Sequence, residues 1–145
     1  MAYRLSLIII TFWAGALWTT GISAYVLFDS LQDKQMAGML AGKLFTVVSY
    51  IGMVSAFYLL IQRLVQDGTA ALKQAFFWAV FLMLLLILAG HFGIQPILAG
   101  LKAQALPADV MQSVFADRFR TWHGVASVAY LLECLFAFVM VLKSR

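Results

Sequence analysis

Two histidines, one glutamate and a few cations are the side chains of this sequence that could do chemistry in or beside an apolar medium. His91 is followed four residues later by Gln95, so the two share a helix face about one turn apart. His123 opens a later apolar run, with Arg118 and Arg120 just before it, while Asp29 and Lys43 stand at the ends of two earlier runs. Two imidazoles at one depth on adjacent helices can ligate a metal ion or a haem, or relay a proton. The structural alternative is that each ring bonds a backbone carbonyl or a hydroxyl and orders a loop. No cysteine or carboxylate stands at ligand spacing from either histidine, and a Cys-x-x-Cys-His haem attachment site is absent. No cofactor is therefore expected, and His91 with His123 is the pair to examine for a metal or haem.

Glu133 is the sharper signal. It falls about half-way along the last apolar run, with apolar neighbours on both sides. A carboxylate at mid-bilayer is costly, so it should be protonated, paired or in a wet cavity. Thr19, Thr20, Ser49, Tyr50 and Ser55 are the partners available at comparable depth. One reading is a proton or cation site; the other is a neutral carboxyl that glues helices by hydrogen bonds. Cys134, the only cysteine, reads as a small packing residue. Gly15, Gly21 and the Gly38-x-x-x-Gly42 spacing read as packing contacts. Met36-x-x-Met39 fits an amphipathic helix better than a copper(I) site. The sequence contains no Gly-rich phosphate loop, no His-Glu-x-x-His, no nucleophile elbow and no paired catalytic carboxylates, so no catalytic residue is assigned and no enzyme is expected.

The elements that position these residues follow from composition. The chain is 64% hydrophobic and 11% charged, against roughly 45–50% and about 25% in soluble domains. Lipid is the natural solvent for such a chain, and 145 residues make one domain. The Lys and Arg residues are scattered at the ends of apolar runs, as interfacial anchors are, with no basic stripe for nucleic acid. Four stretches reach the roughly 20 residues that a spanning helix needs: residues 3–28, 43–65, 73–98 and 122–142. The first is too long for a signal-peptide core and reads as a retained helix. Pro96 should kink or close the third. The expected fold is an all-α, antiparallel four-helix membrane bundle.

Asp67-Gly68 breaks the chain tightly between the second and third helices. The other two connections are longer and patterned. Residues 29–42 should hold a short amphipathic helix at the interface, capped by Asp29 or Ser30. Residues 100–120 should hold a second one, with Pro107 at its first position and Asp109 in its first turn. Both long loops then lie on one side and both termini on the other. His91 and His123 should sit at similar depth near the loop side, forming a polar mouth with Lys43, Arg118 and Arg120. Arg4, Arg63, Lys73, Lys143 and Arg145 fall on the terminal side, and Lys34, Lys43, Lys102, Arg118 and Arg120 on the loop side. The positive-inside rule thus leans only weakly, toward cytoplasmic termini.

Several local motifs resemble one family. Trp13-Ala14-Gly15 with Trp18 resembles its opening, and Ala37-Gly38-x-x-Ala41-Gly42-Lys43-Leu44-Phe45 its second helix. Gly93-Ile94-Gln95-Pro96-Ile97 with Leu101-Lys102 resembles the end of its third helix, and Arg118-Phe119-x-x-Trp122-His123-Gly124 the start of its fourth. Together they resemble the bacterial domain-of-unknown-function family (4149) grouped with eukaryotic transmembrane protein 205, over nearly the whole chain. The resemblance implies a four-helix membrane protein, whose eukaryotic relatives are associated with resistance to platinum drugs. It carries no catalytic residues over.

The function expected from these readings is a non-enzymatic protein of a bacterial inner membrane. It binds or passes a small polar or ionic solute, or a lipid headgroup, through the loop-side mouth. Lys43, Arg118 and Arg120 supply positive charge, His91, Gln95 and His123 directional hydrogen bonds, and Glu133 a deeper protonatable group. A bis-His metal or haem protein, a structural or assembly factor, and a homo-oligomer are the alternatives.

Overall fold

The computed structural model describes residues 2–144; Arg145, counted above among the terminal-side cations, lies outside them. The chain is all-α. Helix α1 spans Ala2–Ser30 and α2 Lys34–Asp67, followed by a 3₁₀ turn at Gly68–Lys73. Helix α3 (Ala75–Leu88) runs through a π-helical segment (Ala89–Ile94) into α4 (Gln95–Ala105), and these three form the third span. A single 3₁₀ turn at Val110–Gln112 precedes α5 (Ala116–Leu142). All four spans are long and apolar enough to cross a membrane.

The spans pack as an antiparallel ring: α1 on α2, α2 on the third span, the third span on α5, and α5 back on α1. Trp13, Leu17, Leu59, Val80, Met83 and Met140 form its fully buried centre. The outer surface is large and apolar, with Ile8, Phe12, Val54, Ile61, Leu131 and Leu135 exposed. That is the surface lipid requires, since lipid tails solvate apolar side chains as a core would.

The two loop-side segments differ from the sequence reading: neither forms a separate interfacial helix. Residues 34–42 are the first turns of α2, which is 34 residues long. The reason is phase. Ala37 and Ala41 are buried at 0% and 3% exposure, and they continue the same face as Val48, Gly52, Ser55 and Leu59. The amphipathic stripe therefore stays in register with the span and no breaker interrupts it. The cap is neither Asp29 nor Ser30 but Asp33, whose carboxylate accepts from the N–H groups of Gln35 and Met36 at 2.9 and 3.1 Å. Lys34 Nζ reaches back to the carbonyls of Phe28 and Leu31 at the end of α1, where a cation suits the helix dipole.

In the same way, residues 100–105 prolong the third span instead of opening a new helix. Pro96 neither closes nor breaks it: it falls in the first turn of α4, directly after the π-helical segment, and its missing N–H is felt at one carbonyl of that segment. Pro107 sits in the turn after α4, on a cis Leu106–Pro107 bond. Asp109 caps the 3₁₀ turn by accepting from Met111 N–H at 2.9 Å. Val110 tucks into a second small core with Leu101 and Ala105, against Ile97, Phe115, Phe119 and Trp122. Leu101, Val110, Phe115 and Phe119 thus close the loop end of the bundle, while Leu106, Met111 and Val114 stay exposed.

Candidate functional site

The π-helical segment is the feature that sets the site. Gln95 N–H bonds the Gly90 carbonyl five residues back, and Pro96 has no N–H. The carbonyl of His91 is therefore left without its α donor (Gln95) and its π donor (Pro96) alike. His91 Nδ1 is also buried with no hydrogen-bond partner among the described residues. Its ring packs edge-on against Tyr50 of α2 (centroids 5.0 Å apart, 65°) and against Phe92 (4.8 Å, 88°). One turn toward the loop side, the Thr46 hydroxyl lies 3.4 Å from Gln95 Oε1 while donating to the Gly42 carbonyl at 2.9 Å. Lys43, exposed, precedes Thr46 by about one turn on the same face of α2.

Lys43, Thr46 and Tyr50 on α2 thus face Gln95 and His91 on the third span, in a polar stripe along one side of the bundle. Tyr50 is 56% exposed and Phe92 65% exposed, so the stripe opens outward, toward lipid. It stops near the middle of α2, where the next outward residues are Val54, Phe57 and Ile61.

The histidines do not share a depth. Lys102 Nζ sits over the Phe119 ring at 5.5 Å, which sets the register of the third span against α5. His123 lies four residues deeper than Phe119, about 6 Å, and His91 eleven residues deeper than Lys102, about 16 Å. The sequence reading placed them together because it ended the third helix near Leu98. The helix runs on to Ala105, which sinks His91 to mid-span. His123 instead stacks on Phe119 of its own helix (5.9 Å, 11°) and is exposed. Arg118 is exposed beside it, and Arg120 pairs with Asp117 at 3.3 Å in the open. A single ion or haem held by both imidazoles does not fit this offset. Among the described residues no three His, Cys, Asp or Glu side chains converge as a metal site.

Of the residues expected to form one mouth, Lys43, Gln95 and His91 come together on the lateral stripe. Arg118, Arg120 and His123 form an exposed collar at the loop end of α5. Glu133 stands apart, on the inward face of α5 between Ala129 and Ala137, and is half-buried. It makes no hydrogen bond or ion pair among the described residues. Three of its five expected partners are engaged elsewhere: the Thr20 hydroxyl donates to the Ala16 carbonyl and Ser49 to Phe45, each at 2.8 Å, and Tyr50 packs on His91.

Sequence reasoning missed a second polar cluster, at the terminal end. Arg63 lies 3.6 Å from Asp67, donates to the Ser144 carbonyl at 3.2 Å and covers the Phe76 ring at 4.6 Å. Gln74 Nε2 donates to Asp67 at 2.6 Å, and Ser6 to Gln62. A cavity of about 30 Å³ lies among Ser6, Gln62, Arg63, Phe76 and Ser144, room for one water. The Arg63–Asp67 spacing of four residues was the legible signal; the reach of Arg63 to α3 and α5 was not. This cluster ties all four spans together at their terminal ends.

A family model for a domain of unknown function, DUF4149, matches residues 8–107 of the chain. That stretch contains Lys43, His91 and Gln95 and ends before Arg118. No curated protein and no solved structure matches the chain.

Proposed function

The chain belongs to the DUF4149 family, and from that premise we propose that it is a non-enzymatic membrane protein that holds the polar head of an anionic membrane amphiphile. The head sits on the face between α2 and the third span. Kinship with the transmembrane protein 205 group, a bacterial inner membrane and cytoplasmic termini are part of the same proposal.

The observation that carries it is the one-sided stripe from Lys43 to His91. Its polar groups run from the loop end to mid-span and stop there, with apolar α2 surface beyond. A half-crossing stripe open to lipid suits holding a head from one leaflet better than passing a solute from side to side. Lys43 supplies the charge that favours an anionic head. Gln95, Thr46, Tyr50 and the His91 imidazole supply directional bonds, and the His91 carbonyl takes a further donor from the ligand or its hydration water. The collar of Arg118, Arg120 and His123 raises the local concentration of anionic lipid without ordering it.

The test uses the protein reconstituted in phosphatidylcholine vesicles with and without phosphatidylglycerol, then extracted in mild detergent for native mass spectrometry. One retained phosphatidylglycerol is expected per chain, lost in Lys43→Gln and reduced in His91→Phe, and kept in Arg118→Gln. Retention that ignores Lys43 and His91 but falls with Arg118→Gln would assign binding to the collar and overturn the stripe.

A further inference from the structure

We propose that Glu133 is a proton-exchanging carboxyl, kept inside the bundle for that purpose and not for holding it together. The inference is independent of the lateral stripe. A structural carboxyl in a membrane protein acts as glue through hydrogen bonds to a neighbouring helix. Glu133 makes none among the described residues, and two of the hydroxyls that could have served, those of Thr20 and Ser49, are turned onto their own helix backbones. Its place is nonetheless specific. On α5 the inward face reads Trp122, Ala126, Ala129, Glu133, Ala137 and Met140, while Gly124, Val128, Leu131, Leu135 and Phe138 face out. Alanines stand one turn above and below the carboxyl on that face, and it is half-buried.

The surroundings of Glu133 offer no fixed counter-charge. On α5 the nearest ionisable groups are Tyr130, whose hydroxyl is bonded to the Leu17 carbonyl, and Cys134. Helix α3 carries no ionisable residue from Ala75 to Leu88, and α1 none between Arg4 and Tyr25. The π segment brings His91, whose ring packs on Tyr50 and Phe92. Helix α4 and the Val110 turn bring Lys102 and Asp109, both at the loop end. Helix α2 reaches α5 through Phe45 on Tyr130 and the residues after α5 through Arg63 on Ser144, and Arg63 is paired with Asp67. A carboxyl so placed is neutral when it holds a proton, and it gives that proton to water when it ionises. An unpaired ionisable group of this kind is retained in membranes for function, because structure alone selects against it.

The experiment treats the full chain in phosphatidylcholine vesicles with dicyclohexylcarbodiimide, which dissolves in lipid and reacts with protonated carboxyls. The acid proton moves to a carbodiimide nitrogen, the carboxylate oxygen adds to the central carbon, and the acyl group then shifts to nitrogen as a stable acylurea. Nothing leaves, so the chain gains the mass of one reagent molecule. The expected result is one adduct, mapped by peptide analysis to Glu133 in the unaltered chain and absent from Glu133→Gln, with a yield that falls severalfold from mildly acidic to alkaline buffer. No adduct at Glu133 at any pH, or a yield indifferent to pH, overturns the proposal. Melting temperature gives the second readout: Glu133→Leu is expected to melt at or above the unaltered protein, and a clear drop would make the carboxyl structural and overturn it as well.

Discussion

The Tyr130 hydroxyl of α5 donates to the Leu17 carbonyl of α1 at 2.6 Å, and it reaches that carbonyl by lying directly over the backbone of Gly21. A Cβ at residue 21 would collide with the phenol. The contact closes the ring of helices between α5 and α1. Replacing Tyr130 by Phe should cost about 1 kcal/mol, the usual worth of one such bond. Gly21→Ala should cost about 1–3 kcal/mol by overpacking. The two effects share an atom, so Gly21→Ala should be milder in a Tyr130→Phe background. Thermal melts of the double-mutant cycle check this, and simple additivity would contradict it.

Gly52 is the corresponding close approach inside the ring. A Cβ there would stand 2.5 Å from Ile87 Cδ1 and 2.9 Å from Trp13 Nε1. Gly52→Ala should therefore lose about 1–3 kcal/mol. Gly15 has open space around it, so Gly15→Ala should be neutral or gain up to about 1 kcal/mol from helix propensity. Melting temperatures of the two variants, compared side by side, decide the point.

His91→Phe keeps a ring against Tyr50 and Phe92 and removes a buried nitrogen that has no partner. Deleting an unsatisfied buried group is close to neutral or stabilising. The variant should melt within a few degrees of the unaltered protein, or above it, while retaining less phosphatidylglycerol. A large fall in stability would make the ring nitrogens structural.

The two ion pairs should differ in worth. Arg63 is 19% exposed at its side chain and also holds Ser144 and Phe76, whereas Arg120 and Asp117 are 65% and 96% exposed. Arg63→Met should destabilise by about 1–3 kcal/mol. Arg120→Gln should change stability by less than about 0.5 kcal/mol, and that small effect should fade at high salt, which screens exposed pairs. Melts at low and high ionic strength distinguish them.

An absorption spectrum and elemental analysis of the detergent-purified protein address the bis-histidine alternative. The offset between His91 and His123 predicts no Soret band and no stoichiometric metal. A haem lost in His123→Ala would require the two helices to slide by about two turns, and would displace the amphiphile reading.

The sequence by itself determined that there are four spans, because a run of about 20 apolar residues has no other stable home than a helix across lipid. It also singled out Lys43, His91, Gln95 and Glu133, since polar groups stand out against such runs. What it did not determine was how far the helices extend and which polar groups meet. Residues 34–42 look like an interfacial helix taken alone; only the burial of Ala37 and Ala41 shows that their stripe continues the phase of α2. Pro96 looks like an end; only the π turn before it lets the helix pass through to Ala105 and lowers His91 to mid-span. The meeting of Tyr50 with His91, Tyr130 with Gly21 and Arg63 with Ser144 is decided by helix register across the bundle. Register comes from side chains fitting between helices, and no local pattern along the chain encodes it.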